Sequence, residues 1–167
     1  MGSAVKRIAA VAGSDGIAAL LASAVIGWRS EGARIVGVIG ELHGLPDRTC
    51  GAGFLRDIAL GKAYRIYLET APGHTSCHLD AEGVAKACVA ICGQIPASDL
   101  VVLNKFGKLE AMGKGLAPAF DLAIDNGKPV LTTVSEAHRE ALRAYAPQAI
   151  FLNVDSAALQ EWWQAVC

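Results

Sequence analysis

Apolar and polar residues alternate along this chain in two patterns. Short apolar runs, typical of strands buried on both faces, alternate with segments whose apolar residues recur at helical spacing. The runs predict strands at residues 5–12, 34–40, 99–103, 129–134 and 149–152. The other segments predict helices at residues 16–30, 80–95, 117–126, 136–145 and 156–166. This alternation predicts a mostly parallel sheet with helices on both faces.

Two further runs, residues 55–60 and 63–69, are separated by Gly61-Lys62 and predict a β-hairpin appended to the parallel core. A polar loop, residues 41–53, precedes the hairpin. The chain has 167 residues and no linker or repeat, so we expect a single α/β domain covering residues 1–167.

Composition narrows the classes of partner. Hydrophobic residues make up 53% of the chain and charged residues 19%, which is typical of a folded globular domain. The formal net charge is −1, so no general attraction to nucleic acid or to an anionic membrane is expected. An anion site would therefore depend on a local group of positive charges and not on the net charge of the chain.

The N-terminus imitates a secretory signal, with basic residues, an apolar stretch and an Ala-Ser-Ala box at residues 22–24. Asp15 and two glycines interrupt the apolar stretch, which favours a strand, a turn and a helix instead. The five cysteines form no paired framework, and we expect reduced thiols and a cytoplasmic location. Cys88 and Cys92 share a helix face among apolar residues, which favours core positions over metal ligands.

Three loops are candidates for chemistry, and we expect all three at one end of the sheet. The first, residues 13–17, joins the first strand to the first helix and contains Ser14, Asp15, Gly16 and Ile17. Backbone N–H groups at such a helix start bind anions. Ile17 and two alanines stand where a Walker motif needs Lys and Ser/Thr, and Asp15 would repel phosphate. The alternative is a simple helix start capped by Ser14 or Asp15.

The second loop, residues 72–80, places two hydroxyls, two imidazoles and a thiol before a helix predicted to be capped by Asp80. These are His74, Thr75, Ser76, Cys77 and His78. Thr75, Ser76 and the helix start could wrap an anion. A zinc site would need a fourth ligand, for which His43 and Cys50 are the obvious donors. A solvent-exposed capping turn remains the alternative.

The third loop follows the apolar strand at residues 99–103 and contains Asn104, Lys105, Gly107 and Lys108. Ligands of open α/β sheets collect beyond such strand ends. The two lysines supply ammonium donors, the asparagine an amide, and Gly107 permits close backbone approach. Glu110 is either an ion-pair partner or a base. The alternative is a solvated pair of lysines on a surface turn.

The sequence resembles a bacterial family of unknown function. The resemblance rests on Cys77-His78-Leu79-Asp80, on the run NKFGKLEAMGKGL at residues 104–116, on Pro129-Val130-Leu131 and on Trp162-Trp163. That family is associated with molybdenum-transport genes and is distantly similar to P-loop nucleoside-triphosphatases of the cancer-related type.

The resemblance implies a three-layer, P-loop-like fold and oxyanion biology, with molybdate or tungstate leading. The corresponding hydrolase turn resembles DEIGKME, so Gly107, Lys108 and Glu110 match it, whereas Asn104 and Lys105 replace two acids. Loss of the phosphate-loop lysine, the Mg²⁺-binding hydroxyl and the Walker B acid together argues against catalysis.

We therefore predict a degenerate P-loop domain that binds a small oxyanion or a phosphate-bearing ligand without hydrolysing it. Ser14–Ile17 and Thr75–Cys77 would supply backbone N–H groups, and Asn104, Lys105 and Lys108 would supply charge and direction. His78 and Gly107 complete the candidate ligand-binding set. Molybdate, tungstate and phosphate are the candidate ligands, and no catalytic or metal-binding residue is assigned.

Two alternatives remain open. A nucleoside triphosphatase or nucleotide-dependent transferase would place Lys108 on the phosphates and use Glu110 or Asp80 to orient water or metal. An interaction module would use Trp162, Trp163 and Val166 as an apolar patch for forming a homo-oligomer.

Overall fold

The structure is a computed structural model, and it describes residues 7–13, 16–42, 44, 52–68 and 79–167. Its strands, in chain order, are β1 (Ile8–Ala12), β2 (Ile35–Leu42), β3 (Ala52–Asp57), β4 (Ala63–Arg65), β5 (Leu100–Phe106), β6 (Val130–Val134) and β7 (Ile150–Leu152). Its helices are α1 (Ile17–Ser30), α2 (Ala81–Cys92), α3 (Lys108–Ala111), α4 (Ala117–Asp125), α5 (Arg139–Tyr145) and α6 (Ser156–Val166). Short 3₁₀ turns cover Ile95–Ala97 and Glu136–His138.

The strands described form a seven-stranded sheet in the order β4-β3-β2-β5-β6-β1-β7. Five of them, β2, β5, β6, β1 and β7, run parallel to one another. The other two, β3 and β4, are antiparallel additions beside β2. The predicted parallel sheet with an appended hairpin is therefore confirmed, but the predicted bounds of the hairpin strands, residues 55–60 and 63–69, are wrong. The first strand lies three residues earlier, the second ends at Arg65, and residues 58–62 form the turn.

The core divides into two apolar layers, one on each face of the sheet. Side chains alternate along the strands, so Ile8 and Ala10 face one layer while Ala9 and Val11 face the other. The first layer is covered by α2, α4 and α5, and the second by α1 and α6. Helices on both faces make a three-layer α/β domain, as predicted.

Several element boundaries differ from the sequence-based expectations. Strand β5 continues to Phe106 instead of ending at residue 103, so two polar residues predicted in a turn lie within the strand. Helix α2 ends at Cys92, and a 3₁₀ turn containing Pro96 follows it, since proline cannot continue an α-helix interior. Helix α3 has only four residues.

The helices of the described residues include none that is both long enough and apolar enough to span a bilayer.

Candidate functional site

The five parallel strands end at one edge of the sheet, which we call the carboxyl edge. Its strand ends are Ala12, Leu42, Phe106, Val134 and Leu152. Strand β6 lies between β1 and β5, so the exits of β1 and β5 are about 10 Å apart at the usual strand spacing. The first and third candidate loops therefore begin at the same edge, two strands apart.

Helix α1 starts at this edge, directly after β1. Gly16 is its N-cap, with φ of 75°, a left-handed conformation that glycine adopts without strain. No side chain of the described residues caps the helix, so among these residues its first-turn N–H groups have no side-chain partner. The expectation that Ser14 or Asp15 occupies the cap position is wrong, because the helix begins at Ile17. Ser14 and Asp15 themselves lie outside the described residues.

The Asn104 side chain connects three neighbouring strands. Its Oδ1 accepts a hydrogen bond from the backbone N–H of Gly40 on β2 at 2.8 Å, and its Nδ2 donates to Thr133 Oγ1 on β6 at 2.7 Å. The β5–β6 register shifts between Leu103 and Phe106, so these side-chain bonds hold the strands where regular pairing is interrupted. The amide predicted to face a ligand is thus engaged in holding the sheet edge together.

Glu110 closes the turn that follows β5. Its side chain is buried, and its two carboxylate oxygens accept hydrogen bonds from the backbone N–H groups of Gly107 at 2.9 Å and Leu116 at 2.8 Å. Gly115 lies against it so closely that a Cβ there would approach Glu110 Oε2 to 2.0 Å. Of the two roles considered for Glu110, ion-pair partner or base, the structure supports neither, because both oxygens hold the backbone of the turn.

Lys105 and Lys108 are both exposed, and in the sequence they flank Phe106 and Gly107. Lys105 is near the end of β5, and Lys108 is the first residue of α3. Within the described part of the chain, neither ammonium group has a carboxylate at ion-pair distance or a hydrogen-bond partner. The turn therefore offers two cations that no described residue pairs, while its own carboxylate faces inward.

The carboxylate of Glu41, near the end of β2, is also engaged. It forms an ion pair with Arg56 on β3. Its hydrogen bond with the Arg56 guanidinium holds the pKa of Glu41 below its ordinary value, because that bond favours the charged form. This pairing compensates the negative charge at the β2 end of the edge.

The second candidate loop lies mostly outside the described residues, which include none of His74, Thr75, Ser76, Cys77 and His78. Its flanks are described. Strand β4 runs toward the carboxyl edge, Tyr67 pairs with Leu79, and the Asp80 side chain accepts from the Glu82 N–H to cap α2, as predicted. The chain thus enters and leaves this segment on the same side of the sheet, beyond the hairpin.

Residues that the sequence did not single out also reach the carboxyl edge. Thr133 is buried near the end of β6, where a pair of threonines in an otherwise apolar strand was the available signal. Beyond β6, Ser135 Oγ lies 3.1 Å from Nδ1 of His138, which immediately precedes α5. Helices α3 and α5 pack together, so these groups lie on the exit next to the lysine turn.

The two tryptophans near the C-terminus are not a surface patch. Trp162 and Trp163 are only 5% and 6% exposed, and Trp163 stacks on Trp28 with ring centroids 5.0 Å apart. Val166 is buried with them. The patch expected for an interaction module is therefore absent from α6, because these side chains fill the layer between α1 and the sheet.

Cys88 is a core residue, as predicted. It is one of the buried residues of α2, and burial, reinforced by the neighbouring Cys92, raises the pKa of its thiol to about 12. The described residues contain no cluster of three or more His, Cys, Asp or Glu able to hold a metal ion. The candidate zinc ligands of the second loop, with His43 and Cys50, lie outside these residues.

A large open cleft of about 560 Å³ lies at the opposite, amino edge of the sheet. Its polar lining includes Arg7, Ser98, Asp99 and Lys128, and Trp163 also lines it. Lys128 donates to the Ser98 carbonyl there. This cleft shares no residue with the carboxyl-edge candidates. The carboxyl edge is the better candidate, because it holds a helix start and two exposed lysines that have no side-chain partner among the described residues.

Comparison with known proteins gives a family and one informative relative. The model of the family described as "Protein of unknown function (DUF2478)" matches residues 8–162. A protein of Bradyrhizobium diazoefficiens named "Molybdenum import ATP-binding protein ModC 2" is 36% identical over 110 residues, which cover 65% of this chain and 12% of that protein. This chain therefore corresponds to a small part of that relative's length. No solved structure matches it significantly.

Proposed function

Because this chain belongs to the DUF2478 family, whose function is unknown, its role has to be inferred from its own site, and we propose that it binds a small oxyanion or a phosphate-bearing ligand at the carboxyl edge without hydrolysing it. The observation that carries this proposal is the charge distribution of the turn after β5. Lys105 and Lys108 are exposed and unpaired within the described residues, whereas Glu110 is buried with both oxygens bound to backbone N–H groups.

This distribution favours an anion over a metal complex. Mg²⁺ is usually held through carboxylates together with the phosphates of its substrate. Glu110 cannot serve without opening the turn, Glu41 is paired with Arg56, and Asp80 caps α2. Exposed ammonium groups beside a helix start bind oxyanion oxygens directly through charge-assisted hydrogen bonds.

Helix α1 supplies the second part of the proposed site. Its first turn, which no side chain of the described residues caps, directs backbone N–H groups to the carboxyl edge, and its 14 residues give it a full N-terminal dipole end. Strand β6 separates this helix start from the lysine turn, a spacing that a ligand with several oxygens, or lysine side chains reaching inward, can bridge. In this proposal the first-loop residues Ser14 to Ile17 lie against the anion, and Thr75, Ser76, Cys77 and His78 extend the site.

The relative named for molybdenum import makes molybdate and tungstate the first anions to test, and phosphate and sulfate are the matched comparisons. Isothermal titration calorimetry of the purified chain against all four, at low and high ionic strength, measures the selectivity. We expect binding that weakens as salt rises, since exposed ammonium groups are screened.

The variants Lys105→Ala and Lys108→Ala test the position of the site. Each should weaken binding about tenfold, the loss expected for one partly exposed charged hydrogen bond. Lys62→Ala is the matched control, because Lys62 is an exposed lysine at the turn between β3 and β4, on the opposite edge. No heat from any anion, or equal affinity in all three variants, would sink the proposal.

The competing enzyme hypothesis is tested with ATP and GTP in the same series. A nucleoside triphosphatase would release phosphate in a Mg²⁺-dependent way, and Lys108→Ala would abolish the release. The oxyanion proposal predicts no release above that of a buffer control, and it predicts that Mg²⁺ does not strengthen binding.

A further inference from the structure

The hydroxyl of Thr133 is the anchor of the Asn104 side chain. Thr133 is 3% exposed, and its Oγ1 accepts the hydrogen bond from Asn104 Nδ2 at 2.7 Å. The other end of the amide accepts from Gly40 N–H at 2.8 Å. Because one partner binds the amide nitrogen and the other binds the oxygen, the Asn104 side chain is held in one orientation.

This anchor lies where the backbone pairing is irregular. The regular pairing of β5 with β6 is interrupted between Leu103 and Phe106, the segment that contains Asn104 and Lys105. The Asn104 amide therefore replaces ladder bonds in fixing the end of β5 between β2 and β6. Pairing resumes at Phe106 with Val134, so the amide fixes the interrupted segment that contains Lys105 and from which the chain continues to Lys108.

Resting on the proposed function, we propose that Thr133 is the positioning residue of the anion site. It acts through Asn104, without contacting the ligand, by holding the end of β5 so that Lys105 and Lys108 face a common anion. The amide of Asn104 is used up in this role, and the ligand is then bound by the lysines and the backbone N–H groups of α1.

A neighbouring threonine provides a matched control. Thr132 is also buried on β6, and its hydroxyl also bonds to β5, donating to the Leu103 carbonyl at 2.5 Å. Thr132→Val and Thr133→Val therefore each remove one buried hydroxyl that bonds to β5. Thr133→Ser keeps the hydroxyl and removes only a methyl group. Thr133→Ala replaces Thr133→Val if valine prevents folding.

The experiment is calorimetric titration of each variant with molybdate, with thermal unfolding measured in parallel. We expect Thr133→Val to weaken binding about three- to tenfold, the range for one lost neutral hydrogen bond, and Thr133→Ser to restore it. Thr132→Val should lower Tm about as much as Thr133→Val and leave the affinity unchanged. This contrast separates positioning from general destabilisation.

The outcomes separate the two proposals. Wild-type affinity in Thr133→Val, or an equal loss in Thr132→Val, overturns the positioning role and leaves the oxyanion site standing. Failure of Thr133→Ser to restore binding also overturns it. Absence of molybdate, tungstate, phosphate and sulfate binding by the wild-type chain overturns both.

Discussion

Replacing Glu110 with glutamine tests how the turn after β5 is held together. Both oxygens of Glu110 accept backbone N–H groups at 2.9 and 2.8 Å, and the side chain is 5% exposed. In Glu110→Gln one carboxylate oxygen becomes an NH₂ group. This group is a donor and cannot accept a hydrogen bond from the backbone N–H that it faces. Either Gly107 or Leu116 then loses its partner.

The cost follows from the burial of these groups. Losing a hydrogen bond to a charged acceptor costs about 1.5–3 kcal/mol, and leaving a buried N–H without a partner costs about 1–3 kcal/mol. The two effects overlap, so we expect the free energy of unfolding to fall by about 2–4 kcal/mol. That is a large part of the roughly 5–15 kcal/mol that holds a typical domain folded. For a domain of this size it lowers Tm by about 5–15 °C.

Urea and thermal unfolding measure the global loss, and hydrogen exchange at the amides of Gly107 and Leu116 measures the local one. Glu140→Gln is the control, because Glu140 is an exposed carboxylate paired with Arg143 on α5 and should cost no more than about 0.5 kcal/mol. If Glu110→Gln behaves like this control, or if both amides stay protected, Glu110 does not hold the turn.

Three further outcomes are expected. In urea unfolding, Gly115→Ala should destabilise the chain well beyond Gly113→Ala. Both glycines have positive φ, but only a Cβ at Gly115 would lie 2.0 Å from a buried carboxylate oxygen. Equal losses of stability in the two variants would contradict the packing described. Trp163→Ala should cost about 3–5 kcal/mol of stability, and a change in solution mass without destabilisation would show an interface instead. Cys88, whose thiol pKa is raised to about 12 by burial, is mostly protonated at pH 8 and should resist iodoacetamide while exposed Cys167 reacts; peptide mass mapping that finds Cys88 alkylated first would contradict its burial.

The layers of the fold could be predicted because each strand and helix has a pattern of its own. The final helix is an example, since the predicted range 156–166 and the observed Ser156–Val166 coincide. Asp155, which caps it by accepting from the Ala157 N–H, precedes an amphipathic run, and such signals are local. The hairpin was predicted for the same reason, from two short apolar runs around Gly61-Lys62.

The end of β5 could not be predicted in this way. Asn104 and Lys105 are polar and resemble a turn, and the strand continues through them because Asn104 bonds to Gly40 and Thr133, which are 64 and 29 residues away. No local pattern reveals such partners. Glu110, in contrast, left a readable signal, because a glutamate three residues after the residue that precedes a helix is the spacing of a capping box.

The burial of the two C-terminal tryptophans also could not be predicted from the sequence. Adjacent residues on a helix point in directions about 100° apart, so a Trp-Trp pair at the end of α6 suggests that one ring is exposed. Both are buried because Trp28 on α1 offers a stacking surface for Trp163 and the same apolar layer accepts Trp162. The exposure of the two rings depends on how deep the surrounding apolar layer is. The periodicity of the sequence contains no information about that depth.

The oxyanion is proposed to bind at the carboxyl edge of the sheet. A crystal structure of the chain with tungstate tests it most directly, since tungsten is located by its anomalous scattering. We expect tungsten at the carboxyl edge, with the tungstate oxygens in contact with the ammonium groups of Lys105 and Lys108 and with the first N–H groups of α1. Tungsten in the cleft between Arg7 and Lys128 at the amino edge, or none at a concentration that saturates the calorimetric signal, would contradict it.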